Sequence, residues 1–316
     1  QPGAYMRIEG CLFEGHTGED KYMNGIFAGN FPVIVQNTFT NCNYMFTCLK
    51  EGRDFTTFTS NSLYECRPIY TDNKVFGNSA EMPSIDISYN KFITSTGEPF
   101  IVKANHGLHD NNCTVHHNTV IGASAFLGCG ALKSIVIPAK VTVINNSTFH
   151  SASGLESITF LGNITSIGAL AFVNCSSLKE FNIPSSVGTV GENAFAQSGL
   201  EKITVPATVK SYGDKVFRAC KSLTSVTIKE GVTKITAEMF KDCVALTTIQ
   251  LPSTIDTIQE SAFRGCTLLS SITIPNSVTS IREYAFCGCT SLTSITIGNS
   301  VTSIGRSAFS GCTSLT

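Results

Sequence analysis

The sequence has no tryptophan, only 14% charged residues and a net charge of −1 over 316 positions. Charged residues make up about a quarter of an ordinary soluble domain, so groups other than Lys, Arg, Asp and Glu must keep this surface wet. The 22 basic and 23 acidic residues are spread without segregation and leave no excess cation to neutralise a row of phosphates, so nucleic-acid binding is not expected. Long apolar runs are missing too. Stretches such as Phe31 to Val35 stop far short of the roughly 18 residues a spanning helix needs, and no membrane span is expected. Disorder is disfavoured for a different reason: 42% hydrophobic residues at low charge give ample apolar surface to bury. The chain opens at Gln1-Pro2 without Met and stops at Thr316 inside a repeating unit, which reads as a processed piece of a longer protein, a removed secretory leader being one explanation.

What is present is a repeat. Phe126, Phe149, Phe172, Phe195, Phe217, Phe240, Phe263, Phe286 and Phe309 recur every 22 or 23 residues. A Leu follows each after six residues, except Leu200, which follows Phe195 after five, so the single short repeat loses its residue between those two. Three residues after the Leu come alternating triplets such as Ile135-Val136-Ile137, Val226-Thr227-Ile228 and Ile295-Thr296-Ile297. Alternation of this kind predicts a short strand with its outer residues buried and its middle residue exposed. Pro138, Pro184, Pro206, Pro252 and Pro275 follow, where a residue with no ladder donor ends a strand. A second apolar pair, as at Val278 and Ile281, precedes the next Phe. No single repeat can bury its own Phe, Leu and Ile, whereas stacked neighbours can at the ~4.8 Å strand spacing.

The run ending at Phe286, Gly-Cys-Thr-x-Leu-x-Ser-Ile-Thr-Ile-Pro-x-Ser-Val-Thr-Ser-Ile-x-x-x-Ala-Phe, closely resembles the BspA-like leucine-rich repeat family. The resemblance covers about residues 121–316, the last repeat being incomplete. It implies a right-handed solenoid displayed outside a cell for adhesion or matrix contact, with no catalytic residues to carry over. Ala152 and Ser198 depart from the repeat Cys, and Leu161, Lys229 and Gly298 from the repeat Pro.

Residues 1–120 lack this pattern and carry another, an apolar residue, two positions, Asn, one position and an apolar residue. It fits Ile34-Asn37-Phe39, Phe58-Asn61-Leu63, Tyr70-Asn73-Val75, Ile87-Asn90-Phe92 and Val115-Asn118-Val120. Asn suits a sharp corner between strands because it tolerates a left-handed backbone. Residues 1–120 are therefore expected to form a right-handed parallel β-helix, resembling the pectate-lyase-like superfamily in pattern only. The whole chain is then an all-β-rich solenoid: a parallel β-helix followed, without a flexible linker, by a leucine-rich repeat solenoid of 22–23-residue repeats.

Candidate chemistry is sparse. Cys129, Cys175, Cys220, Cys243, Cys266, Cys289 and Cys312 each sit three residues after the repeat Phe and are expected to stack, either as buried thiols or, between neighbouring turns, as bridges. Cys11, Cys42, Cys48, Cys66 and Cys113 lack the period, and Cys42 with Cys48 is the candidate local disulfide. His106, His109, Cys113, His116 and His117 have ligand-type spacing, but adjacent His116 and His117 would point to opposite faces of a strand, so neither metal nor cofactor is expected. Asp86, Glu98, Lys103 and Asp110 could serve a carbohydrate-active β-helix enzyme, yet no spacing brings two acids to one face. Sequons stand at Asn112, Asn145, Asn146, Asn163 and Asn174. The exposed strand positions form a row, Thr159, Asn182, Thr204, Thr227, Gln250, Thr273 and Thr296, for which the β-propensity of Thr is sufficient cause.

The expectation is a non-enzymatic extracellular structural or adhesive solenoid. Its partners would be other protein subunits, host or matrix proteins and glycans, with self-assembly into a surface filament as a further expectation. The alternative is a polysaccharide lyase or hydrolase that uses the repeats for attachment.

Overall fold

The computed structural model describes residues 123–130 and 132–316, together with the backbone of thirteen short strands between Arg7 and His116. Among the described residues there is no helix, and every strand pairing is parallel. The fold is an all-β parallel solenoid. Its chain divides into two compact units, Gln1–Asn163 and Ile164–Thr316.

In the first unit, Arg7–Glu9, Val33–Val35, Thr56–Thr59, Ile85–Ser88 and Cys113–His116 form one five-stranded sheet. Leu12–Glu14, Thr38–Thr40, Ser62–Tyr64 and Lys91–Ile93 form a second. Two further pairs join Phe27–Ala28 to Thr47–Cys48 and Tyr70–Thr71 to Lys103–Ala104. Strands from successive stretches of chain thus pair in parallel. Asn37, Asn61 and Asn90 fall in sequence between consecutive strands; they, like Asn73 and Asn118, lie outside the described residues. Cys113–His116 runs beside Ser134–Ile137, which pairs with Ser157–Phe160, so the first two 23-residue repeats belong to this unit.

In the second unit each repeat contributes three segments. Long strands Glu180–Phe181, Lys202–Val205, Ser225–Ile228, Thr248–Gln250, Ser271–Thr273 and Ser294–Thr296 make a six-stranded sheet. Alternation decides which side is buried: Ile203 and Val205, or Val226 and Ile228, face the core while Thr204 and Thr227 face solvent. Short strands follow. Ser166–Ile167, Thr189–Val190 and Ser211–Tyr212 pair in sequence, and so do Lys234–Ile235, Thr257–Ile258, Ser280–Ile281 and Ser303–Ile304.

The third segment is the Phe turn, and it forms a ladder of its own. The N–H groups at the Phe and two residues to either side all donate to the following turn, as in Glu238 to Glu260 O, Phe240 to Ala262 O and Asp242 to Arg264 O at 2.7–2.9 Å. Alternate N–H groups can point the same way because the outer two residues are left-handed, φ 54° at Glu238 and 61° at Asp242. The same holds around every repeat Phe, and at the upstream position none of the residues is Gly. A left-handed non-glycine residue costs roughly 1–2 kcal/mol, which the turn-to-turn hydrogen bonds must offset.

Between the three ladders the Phe rings pile one per turn. Centroids from Phe172 to Phe309 are 5.0–5.7 Å apart and interplanar angles stay at or below 18°, the spacing that parallel strands impose. The rings through Phe286, together with Leu178 to Leu292, are fully buried. In the last turn Ile297 and Ile304 are exposed, no further turn of this sequence lying over them.

Candidate functional surface

The outward side of the long-strand sheet is a field of hydroxyls. Thr204 stands against Thr227, Thr227 against Gln250, and Thr273 against Thr296 in register, and all five are exposed. Asn182 is exposed just beyond its short strand, and Thr159 is exposed in the first unit opposite Val136. A second row, not singled out from the sequence, lies two residues upstream: Ser225, Thr248, Ser271 and Ser294 are exposed and in register. Its signal was the same 23-residue period. From Ser225 to Thr296 these two rows carry hydroxyls and one amide and no charge, which locates the low charge of the whole sequence. Other hydroxyls bind turns together, as Thr224 to Glu201 O and Thr293 to Ser270 O at 3.1 Å.

The eight described cysteines are all thiols. Cys220, Cys243, Cys266, Cys289 and Cys312 form a column in which each Sγ donates to the carbonyl of the repeat Phe one turn back, at 3.1–3.2 Å. Cys129 and Cys175 are buried at the equivalent positions. Ser198, which replaces Cys in the short repeat, is buried with its hydroxyl 3.4 Å from Cys220 Sγ. Burial pushes the Cys220 thiol up to about 11 and Cys289 to about 12, and raises Cys243 and Cys266 well above the usual thiol range. A nucleophile or metal ligand must be a thiolate, so the column is built for packing and hydrogen bonding. The thirteenth cysteine, Cys287, lies two residues before the column's Cys289 and is half-buried.

One step of the second unit differs from its neighbours. Elsewhere the short-strand ladder repeats two bonds, seen as Lys210 N–H to Gly188 O and Gly213 N–H to Val190 O, and again as Asp256 N–H to Thr233 O and Gln259 N–H to Ile235 O. Between Ser211–Tyr212 and Lys234–Ile235 both are absent, leaving the N–H groups of Thr233 and Thr236 and the carbonyls of Lys210 and Tyr212 unjoined. A hydroxyl staple is missing as well. Ser186, Thr254 and Ser277 donate to Ile164, Val232 and Ile255 carbonyls one turn back; Thr208 and Ser300 in the same column make no such bond, and the residue here, Gly231, has no hydroxyl to make one. Tyr212 in turn occupies a column otherwise held by Ile or Val, and its hydroxyl donates to Pro206 O at 2.9 Å.

The opened step is a cleft of about 480 Å³ lined by residues of both turns, including Lys210, Lys234, Asp214 and Thr233. Both of its ends are pinned. At one, Thr236 Oγ1 donates to Gly213 O at 2.8 Å and Ala237 N–H to Asp214 Oδ1 at 3.2 Å. At the other, Gly231 has φ +100° and lies so close to Ala207 that a Cβ would stand 2.9 Å from the alanine methyl.

Of the sequon residues, Asn146 and Asn163 are exposed while Asn145 and Asn174 are half-buried. Thr148, the third residue of the Asn146 sequon, is fully buried with its hydroxyl donating to Asn145 O. Asn112, Cys11, Cys42, Cys66, His106, His109, His117, Glu98 and Asp110 lie outside the described residues. So do the side chains of Cys48, Asp86, Lys103, Cys113 and His116, whose backbones lie in strands. Among the described residues no group of three His, Cys, Asp or Glu could hold a metal, and no helix is long and apolar enough to cross a membrane.

A parallel solenoid that buries one Phe, one Leu and alternating aliphatic residues per 22–23-residue turn defines a leucine-rich repeat protein. The match to the BspA type leucine-rich repeat region, over residues 109–201 and 188–316, specifies the kind: the chain belongs to the BspA-type leucine-rich repeat family. A leucine-rich repeat protein from Eubacterium ventriosum shares the fold, with a TM-score of 0.51 at 22% identity over 88% of this chain and 82% of that one. Another, from Bacteroides ovatus, aligns at 24% identity with a TM-score of 0.45 over 67% of this chain and 71% of its own. The pneumococcal vaccine antigen PcpA aligns at 19% identity with a TM-score of 0.44, covering 100% of this chain and 82% of its own. No curated protein matches the chain.

Proposed function

We propose that the protein is a non-catalytic, extracellular surface solenoid that makes contacts with protein or glycan partners through its long-strand sheet. The observation that carries this reading is the uncharged double row of hydroxyls in register from Ser225 to Thr296. Rigid strands hold these groups at fixed spacing, so a partner meets them without first ordering them. Membership of the BspA-type family supports placement outside the cell, as do the exposed sequons at Asn146 and Asn163. On this reading residues 1–120 form one functional segment and 121–316 the display segment, Cys42 with Cys48 is a disulfide in the first, and copies assemble on a surface.

Adhesion of the full chain to a panel of immobilised matrix proteins and glycans tests the reading. Replacing Thr227, Thr273 and Thr296 by Glu is expected to abolish adhesion with the circular dichroism unchanged. Adhesion that survives the triple substitution would remove the hydroxyl face from the function. Intact mass of native material reports the glycans and the disulfide together, and a polypeptide bearing neither counts against the extracellular placement.

A further inference from the structure

We propose that the cleft between the turns of Tyr212 and Lys234 is a binding site for a single carboxylated sugar, a hexuronic acid residue. The site lies on the short-strand sheet and does not rest on the reading of the hydroxyl face.

The opened step leaves four ladder groups unpaired. Thr233 and Thr236 offer N–H donors, and Lys210 and Tyr212 offer carbonyl acceptors, with no protein partner for any of the four ladder bonds. A ligand that completes them must both accept and donate. Two lysines, Lys210 and Lys234, line the cleft from consecutive turns, against one acidic residue, Asp214, whose carboxylate accepts from Ala237 N–H. The ligand is therefore anionic. An inorganic phosphate dianion satisfies the cations but brings one O–H donor for two carbonyls. Hydroxyl groups do both, and a sugar acid combines a carboxylate with several hydroxyls on one small ring.

Size and closure point the same way. About 480 Å³ lies within the range of roughly 300–1,000 Å³ that accommodates small ligands. An added peptide strand would need an open run, and this gap is closed at one end by the Thr236 and Ala237 bonds and at the other by the Gly231–Ala207 approach. Gly231 stands where Ser186, Thr254 and Ser277 each bind two turns together, so one residue both removes the staple and permits the close approach beside the cleft.

The test is calorimetric titration of the full chain with D-galacturonic acid, D-galactose and inorganic phosphate. Galacturonate is expected to bind in the millimolar range, with galactose and phosphate each about tenfold weaker, the order of one charge-assisted hydrogen bond. The double variant Lys210→Ala with Lys234→Ala should lose binding about tenfold, and the charge-matched Lys202→Ala with Lys221→Ala, whose lysines lie outside the cleft, less than twofold. In the unaltered protein, hydrogen exchange at the Thr233 and Thr236 amides should slow when galacturonate is added, a readout that needs no variant to fold. No galacturonate binding, equal affinity for galactose, tighter binding of phosphate, or equal losses in the two double variants would each overturn the proposal.

Discussion

Gly199 shows how far one position can be constrained. The short repeat draws its chain against the preceding turn, and a Cβ at Gly199 would stand 1.9 Å from Ser176 O. Gly199→Ala is therefore expected to destabilise the protein by about 2 kcal/mol or more through forced backbone movement, measured by urea denaturation. The thiols make a pH prediction. Their pKa values are raised in the folded chain, to about 11 for Cys220 and about 12 for Cys289, from an ordinary value of 9.0. The unfolded chain thus loses these protons first. Stability contributed by the neutral thiols is complete below pH 9 and falls as pH rises towards those folded values, by about 1.4 kcal/mol per pH unit for each thiol. Denaturation under reducing conditions at pH 8 and pH 10.5 should show this loss, and Cys220→Ala with Cys289→Ala should reduce it, the raised thiols of Cys243 and Cys266 supplying the remainder.

At the scale of elements, the three ladders differ in how evenly they run. Thr233 and Thr236 amides should exchange fastest among their repeat equivalents, while Asp256, Thr279 and Thr302, each bonded to the carbonyl one turn back, should be protected. Equal protection at Thr233 and Asp256 would show the opened step to be closed in solution. The long strands and the Phe stack were legible in the sequence because alternation and period are direct consequences of burial: Phe240, Leu246, Val226 and Ile228 repeat where the core needs them. The ladder in the Phe turn was not. Its left-handed residues are Ser, Asn, Lys, Glu, Tyr and Leu upstream of the Phe, and without glycine they leave no mark. Leu170, left-handed and partly exposed, tests the cost: Leu170→Gly should stabilise by about 1 kcal/mol. The cleft escaped notice for a related reason. Lys229 in place of Pro and Gly231 in place of Ser read as ordinary surface changes until the missing staple is set beside the missing ladder bonds.

For the whole molecule, stability resides in interfaces between adjacent turns. Phe240, stacked on Phe217 and Phe263, has a neighbour on both sides, whereas Phe309 stacks on Phe286 and is half-buried. Phe240→Ala should cost about 3–5 kcal/mol, and Phe309→Ala markedly less, by the same urea titration. The near-balance of charge has a readout too: with 22 cations against 23 anions, retention on immobilised duplex DNA at low ionic strength should be negligible.

The one 22-residue repeat bears on how such a chain finds its native pairing. The segments around Phe263, Phe286 and Phe309 are close copies of one another, and copies invite a strand to dock one rung early or late, the characteristic misassembly of repeat proteins. A perfectly periodic array would fit nearly as well after such a slip. Here the shortened turn, with Gly199 pressed on Ser176 O, breaks the translational symmetry. A shift by one rung brings a side chain to the place only glycine fits, and leaves a 22-residue loop to span a 23-residue step. The irregularity acts as an index mark: it raises the free energy of the frameshifted stack and leaves one register favoured.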